Sequence, residues 1–345
     1  MNLFNKILKD NESLFLNEIF LDHSFTPPKI EHRESENEFI ATCIKPLFQK
    51  RTGKNLFIYG QPGIGKTLAT RLVLKELKEK SDITPIYINC WENNTTHKIA
   101  IETCHILNYK FTHNKTTSQL IEKIISILNK NPSVIVLDEC DKIKTTEDSI
   151  LYPLLEKIYK KSIILITNEL FFLSSLDQRI KSRLIPSQLE FKSYSLQETE
   201  NILKNRIKYA FQQNILDEDS FNLILQKTFS LKDIRTGLFL LKEAAEIAES
   251  KAKRQISIED AQQAIEKLKE FKIKGSQNLE QTEKEILELI KQNPEKTTKE
   301  LFEAYTNQTS YATFSRKIEN LQKNKQISKS KKQGKNVFSY GTLNQ

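Results

Sequence analysis

Glycine is scarce in this chain. Its 345 residues hold 8 glycines, 9 prolines, 4 cysteines, 1 methionine and 1 tryptophan. So little glycine and proline excludes fibrous and low-complexity classes. No apolar run approaches the roughly 18 residues of a membrane-spanning helix. The N-terminal stretch MNLFNKILKDNESLFL carries acidic residues and no clean apolar core, so no secretory signal is expected. Cys43, Cys90, Cys104 and Cys140 lack C-x-x-C spacing, and His105 beside Cys104 has no second pair to complete a zinc site. Reduced, buried thiols in an intracellular protein are expected.

Against that scarcity, three of the 8 glycines fall in one loop, GQPGIGKT, residues 60–67. The loop follows the apolar run Leu56-Phe57-Ile58-Tyr59 and opens a helical pattern at Leu68. It fits G-x-x-x-x-G-K-[ST] in full. Gly60, Gly63 and Gly65, with Pro62 and Ile64 between them, permit the positive φ angles that turn backbone N–H groups onto phosphate oxygens. Lys66 supplies charge at the β- and γ-phosphates, and Thr67 supplies a hydroxyl for Mg²⁺. The helix N-terminus beginning around Leu68 favours the same anion.

A second motif, VIVLDEC, ends an apolar run with Asp138 and Glu139. A carboxylate at a strand's C-terminal end beside a phosphate loop suits Mg²⁺, here Asp138 together with Thr67. Glu139 is then placed to orient or deprotonate an attacking water. The next apolar run ends SIILITNE, where Asn168 is a candidate for positioning that water. LDQRIKSRL offers Arg179 and Arg183 as candidates to reach a neighbouring subunit's phosphate. In LKDIRTGL, Arg235 sits in a helix's first turn, where a cation gains nothing from the dipole. Contact with a nucleotide phosphate accounts for it better, with a salt bridge to Asp233 as the alternative.

The apolar runs NLFIY, PIYIN, SVIVLD, SIILIT and the weaker SQLEF alternate with helical patterns at 68–80, 95–107, 116–130 and 149–160. Continuous apolar strands between helices predict an α/β fold with a parallel sheet covered on both faces. After residue 191 the pattern is helical, opened by Ser195-x-x-Glu198, a capping box. Further helices fit 217–229, 233–253 and 257–271. The polar segment IKGSQNL, 273–279, reads as a linker. Three more helices, near 280–292, 297–305 and 310–323, precede ISKSK, a QGK turn and NVFSY, a hairpin signal. Helices followed by a hairpin are the winged-helix arrangement.

Charge is concentrated at that end. From Tyr305 to Gln345 there are eight Lys or Arg against the single acid Glu319, a balance of +7 that leaves +2 of the net +9 for the rest. A polyanionic partner is expected there. In helix three, Ser310, Tyr311, Thr313, Arg316 and Lys317 form the expected reading face, with Phe314, Ile318 and Leu321 as core. Lys329, Lys331, Lys332 and Lys335 of the wing would neutralise phosphates of duplex DNA.

These stretches together resemble the AAA+ ATPases. More narrowly, they resemble the archaeal replication initiators related to the origin recognition complex and its Cdc partner. The resemblance covers about residues 17–340. It implies ATP or ADP with Mg²⁺, a phosphate-loop domain over 1–192, a helical lid over 193–273 and a winged helix over 280–342. FTPPKIEHRESE resembles the segment packing over the adenine, which implies His32 and Arg33 near the base. The resemblance makes Asn168 and Arg235 the two sensors and Arg179 the trans-acting arginine, although Gln178 replaces the usual proline. DSILYPLLEKI, 148–158, resembles the remnant of a DNA-contacting insertion, with Pro153 expected to interrupt its helix. The implied function is an ATP-regulated, cytoplasmic, nucleoid-associated initiator. It would bind repeats in double-stranded origin DNA, alone or with other initiator copies, with ATP binding and slow hydrolysis as a switch that helps recruit or release the replicative helicase. Two alternatives stand beside it: an AAA+ helper ATPase of a plasmid or mobile element, with the winged helix contacting protein, and a nucleotide-binding scaffold without turnover.

Overall fold

The computed structural model describes residues 13–22, 25–143, 150–277, 281–294, 296–305, 310–323, 327–332 and 335–340. The chain divides into two compact units at Ile265 and Glu266.

The first unit holds α1 (Glu34–Ile44), β1 (Leu56–Gly60), α2 (Lys66–Lys80), β2 (Thr84–Asn89), α3 (Thr96–Ile106) and α4 (Thr117–Leu128). Then follow β3 (Ser133–Asp138), α5 (Leu151–Lys157), β4 (Lys161–Thr167), α6 (Phe172–Ser175), α7 (Gln178–Leu184) and β5 (Ser187–Phe191). The strands form one parallel sheet in the order β2-β3-β4-β1-β5. β3 and β4 are buried at every position, because helices cover both faces and no polar alternation is tolerated there. Leu56, Ile58, Val134, Val136, Ile164 and Ile166 pack against α1 and α2. Phe57, Ile86, Ile88, Ile135, Leu137, Ile163 and Leu165 pack against α3, α4, α5 and α7. Each fully buried Ile or Leu contributes about 1.5–3 kcal/mol, so an acid at Ile135 would break the core. All four cysteines are free and buried in these layers, as expected.

Because the strands run parallel, the loops after β1, β3 and β4 emerge at one edge of the sheet. That edge carries the phosphate loop, the Asp138-Glu139 pair and Asn168.

The lid comprises α8 (Leu196–Ala210), α9 (Glu218–Leu231), α10 (Ile234–Ser250) and the first turns of α11 (Ile258–Gln277). The Ser195–Glu198 capping box forms as the spacing predicts. Leu203, Ile224, Leu225, Leu238, Leu241, Ala245 and Ile256 make its interior. Residues 13–22 lie along this lid. Phe15 bridges Phe211 with ring centroids 5.3 Å apart, Leu14 N–H donates to Glu249 at 2.7 Å, and Lys242 pairs with Glu18.

The helix expected over 149–160 is shorter, Leu151–Lys157, and Pro153 does not interrupt it. Proline stands third, in the first turn, where its missing N–H has no intrahelical acceptor to lose. The segment 273–279, expected as a linker, is helical through Gln277, and residues 278–280 lie outside the described residues.

The second unit contains α12 (Gln281–Gln292), α13 (Thr298–Glu303), α14 (Tyr311–Lys323) and the antiparallel hairpin β6 (Ile327–Lys332) with β7 (Lys335–Tyr340). Ile286, Ile290, Leu301, Phe314, Ile318, Leu321, Ile327 and Phe338 form its core. An added bridge, Phe338 N–H to Lys296 O at 3.0 Å, ties β7 to the α12–α13 connection. Gln333 and Gly334 of the expected turn lie outside the described residues.

Candidate nucleotide-binding site

The phosphate loop takes the backbone that its glycines allow: φ is +77° at Gly63 and +92° at Gly65, where α2 begins. A Cβ on Gly63 would also overlap the Asp233 carboxylate, so the glycine lets the lid approach the loop. Pro62 and Ile64 space the turn, and Ile64 is buried in the α1–α2 layer. Leu68 packs against the same layer.

Lys66 is 7% exposed. Its amine donates to Gly60 O at 2.8 Å, Gln61 O at 2.7 Å and Asn168 Oδ1 at 2.7 Å. Burial lowers its pKa to about 8; Glu139 and Asp138 pull it upward, and Arg235 pushes it down. Asn168 also donates through Nδ2 to both Glu139 oxygens, at 3.3 and 3.1 Å. The three residues from three different loops are therefore in one network.

Asp138 is 3% exposed. Its Oδ2 accepts from Thr67 Oγ1 and from the Tyr87 hydroxyl, each at 2.6 Å, and its Oδ1 accepts from Glu139 N–H at 2.9 Å. Glu139 has φ +53°, a left-handed backbone that a non-glycine residue holds only under constraint. Burial raises the Glu139 pKa, Asp138 and Asp141 add to the rise, and Asn168 and Lys66 oppose it. A carboxylate made more basic in this way suits proton abstraction from water.

Hard oxygen donors from Thr67 and Asp138, beside a loop whose glycines and lysine favour phosphate, fit Mg²⁺ and a nucleoside triphosphate. Thr67 donates its proton to Asp138, which leaves hydroxyl lone pairs for a cation.

Some contributors went unseen in the sequence. Tyr87 reaches Asp138 from β2. Asp141 accepts from Thr167 Oγ1 at 2.6 Å, and Thr167 in turn accepts Glu169 N–H at 2.9 Å, so Asp141 shapes the turn that carries Asn168. The acidic residue at the end of LDECD was the available signal.

Arg33 differs from the expectation of a group at the base. It is 4% exposed and turned into the protein. It donates to Ile64 O at 3.2 Å, Lys192 O at 2.6 Å and Glu36 at 2.7 Å, and its guanidinium lies 4.0 Å from the Tyr194 ring centre. These carbonyls and the ring hold its charge as a clamp between the N-terminal segment and the phosphate loop. His32, half-buried beside it, has φ +60°.

Arg235 is exposed in the first turn of α10, close enough to Lys66 to depress its pKa. Asp233 caps that helix by accepting the Arg235 backbone N–H at 2.9 Å. Of the two candidate trans-acting arginines, Arg183 is engaged within its own chain. It bonds Glu156, donates to Arg179 O at 3.1 Å and lies over Tyr152. The Arg179 side chain is 79% exposed, with Asp177 3.7 Å away.

In the second unit, Phe314, Ile318 and Leu321 are core as expected, but Lys317 is only 8% exposed. It falls on the apolar stripe of α14, three residues after Phe314, and is removed from the reading face. Ser310 caps α14: its hydroxyl accepts Thr313 N–H at 3.2 Å and meets Thr313 Oγ1 at 2.9 Å. Tyr311 stands edge-on to Phe302, and Arg316 is exposed. Lys329, Lys331, Lys332 and Lys335 take their expected strand positions, Lys332 opposite Lys335; their side chains lie outside the described residues.

A phosphate loop after β1, a carboxylate pair after the adjacent-but-one β3, a polar sensor after β4 and an arginine-bearing helical lid define a P-loop ATPase of the AAA+ class. Residues 49–173 match the AAA domain and residues 200–266 the Cdc6 AAA+ ATPase-type lid domain. The ORC1-type DNA replication protein 1 of Archaeoglobus fulgidus is 32% identical over 286 residues, covering 78% of this chain and 69% of that protein. The ORC1-type DNA replication protein of Pyrococcus horikoshii is 31% identical over 291 residues, covering 78% and 68%. The chain belongs to the ORC1-type DNA replication proteins, initiator ATPases of the AAA+ class. Its fold is similar to that of the Aeropyrum pernix ORC1 protein solved in complex with DNA, with a TM-score of 0.75 at 24% identity over 94% of this chain and 93% of that one. The Aeropyrum pernix ORC2 protein, solved as ADPNP–ADP complexes, follows at a TM-score of 0.66 and 17% identity over 96% and 95%. Among the described residues no helix is long and apolar enough to cross a membrane.

Proposed function

We propose that the chain binds duplex origin DNA through its second unit and uses ATP in the first as a switch for helicase recruitment. The observation that carries the nucleotide half is the convergence on Lys66: loop carbonyls and Asn168 meet at one buried amine, Asn168 links it to Glu139, and Arg235 of the lid is close enough to act on it electrostatically.

Lys66, Gly63 and Gly65 bind the phosphates. Thr67 and Asp138 would hold Mg²⁺, which would supply charge neutralisation to the transferring phosphoryl group. Asn168 orients the attacking water, and Glu139 takes its proton. Arg235 stabilises the phosphates from the lid, so lid position follows nucleotide state. Arg179 serves a neighbouring copy; its exposure, against the engagement of Arg183, supports that choice. His32 borders the base, and Arg33 holds the segment that carries it. Hydrolysis is slow and acts as the switch that helps recruit or release the helicase.

For DNA, the +7 balance after residue 304 and the helix–hairpin order of the second unit support a winged helix over 280–342. Ser310, Tyr311, Thr313 and Arg316 present the reading end of α14, without Lys317. Lys329, Lys331, Lys332 and Lys335 contact phosphates from the hairpin. Footprinting tests the reading. Protection of repeats in the cell's replication origin, at protein concentrations that leave random duplex unprotected, is the expected result. Equal protection of both, or of neither, overturns it.

A further inference from the structure

The position of Tyr87 follows from strand register. Side chains alternate across a strand, and Ile86 and Ile88 enter the layer shared with α3 and α4. Tyr87 therefore faces the α2 layer, where it packs. The parallel register pairs Tyr87 with Val136 and Asn89 with Asp138. Tyr87 thus lies diagonally behind Asp138 on the same face, an offset that only a long side chain spans. Its hydroxyl donates to Asp138 Oδ2 at 2.6 Å, the same oxygen that accepts from Thr67. Arg71, one helical turn after Thr67, places its guanidinium 4.3 Å from the Tyr87 ring centre and hydrogen-bonds the Tyr87 side chain.

We propose that Tyr87 is a positioning residue for the Mg²⁺ site: its phenol fixes the Asp138 carboxylate in the orientation shared with the Thr67 hydroxyl. Without Tyr87, the carboxylate would rest on Glu139 N–H at Oδ1 and on the rotatable Thr67 hydroxyl at Oδ2, which leaves it freedom to turn about its terminal torsion. A second donor on Oδ2, fixed by a ring that is itself packed, removes that freedom. A phenol does so as a neutral group, which leaves the full negative charge of the carboxylate for the cation; a lysine at this position would compete with the metal. Hydrogen-bond partners of metal-holding carboxylates commonly govern metal affinity by about 10–100-fold. The inference rests on the reading of Thr67 and Asp138 as the metal side of the nucleotide site.

Tyr87→Phe keeps the ring, its packing and the Arg71 guanidinium over the ring, and removes the hydroxyl with its hydrogen bonds to Asp138 and Arg71. The experiment is an equilibrium titration of full-length protein with a fluorescent ATP analogue, performed across Mg²⁺ concentrations and in EDTA. The Mg²⁺ concentration giving half of the metal-dependent gain is expected to rise about tenfold or more in the variant, with nucleotide affinity in EDTA unchanged. An unchanged Mg²⁺ midpoint overturns the inference, as does an equal loss of affinity with and without Mg²⁺, which would make Tyr87 a packing residue. Wild-type protein that binds no nucleotide in either condition would instead overturn the site itself.

Discussion

Lys66 is the residue on which most of the site's chemistry turns. A buried ammonium is costly unless anions surround it, and here burial outweighs Glu139 and Asp138, leaving a pKa of about 8. The protonated form is the one that binds phosphate. Nucleotide affinity should therefore be full near pH 7 and fall as pH rises through 8, reaching about tenfold weaker at pH 9 from the fraction of amine still charged. Equilibrium nucleotide titrations at the two pH values check this; a flat profile would mean that the amine is not the counter-charge to phosphate. Much at this scale was legible in the sequence. Lys66, Thr67, Asp138 and Glu139 stand in short motifs whose residue types have few other uses together. Tyr87 and Asp141 were not legible, because their partners lie on other strands and depend on register. Lys317 was misread for a simpler reason: a lysine three residues from a core phenylalanine sits on the buried stripe of its helix, and residue type was given more weight than phase.

Elements followed their patterns where tertiary contacts agreed with local signals. Continuous apolar runs became β3 and β4 because both faces of the sheet are covered, and capping boxes opened α4, α8 and α13. Departures came where a single residue type was taken as a signal without its position. Pro153 stands in a first turn, and Gly275, read as part of a linker, lies within α11. The N-terminal segment was the least legible element, since its partners, Phe211, Glu249 and Lys242, are about two hundred residues away. Arg33 also takes a different meaning. The guanidinium joins the start of α1 to the phosphate-loop carbonyl of Ile64 and pairs with Glu36 of the same helix. Arg33→Ala should then lower the stability of the first unit by about 3 kcal/mol, the cost of leaving a buried partner unpaired, read as an earlier denaturant midpoint. Unchanged stability with lost nucleotide affinity would return Arg33 to the base.

At the scale of the whole molecule, the two units differ in architecture and in charge. The first carries the nucleotide chemistry in a sheet whose order places three functional loops at one edge. The second carries most of the net positive charge on a small helical core with a hairpin. The charge difference was readable from composition alone, because the balance turns strongly positive only after residue 304. What composition does not supply is which lysines face outward, and α14 illustrates that.

The most direct test of this division is the affinity of full-length Lys66→Ala protein for origin duplex, measured beside wild type over a series of salt concentrations. The account predicts that the variant retains no adenine nucleotide, yet binds duplex with nearly wild-type affinity and the same steep decline with salt. A folded Lys66→Ala protein that loses nucleotide and duplex binding together would contradict it.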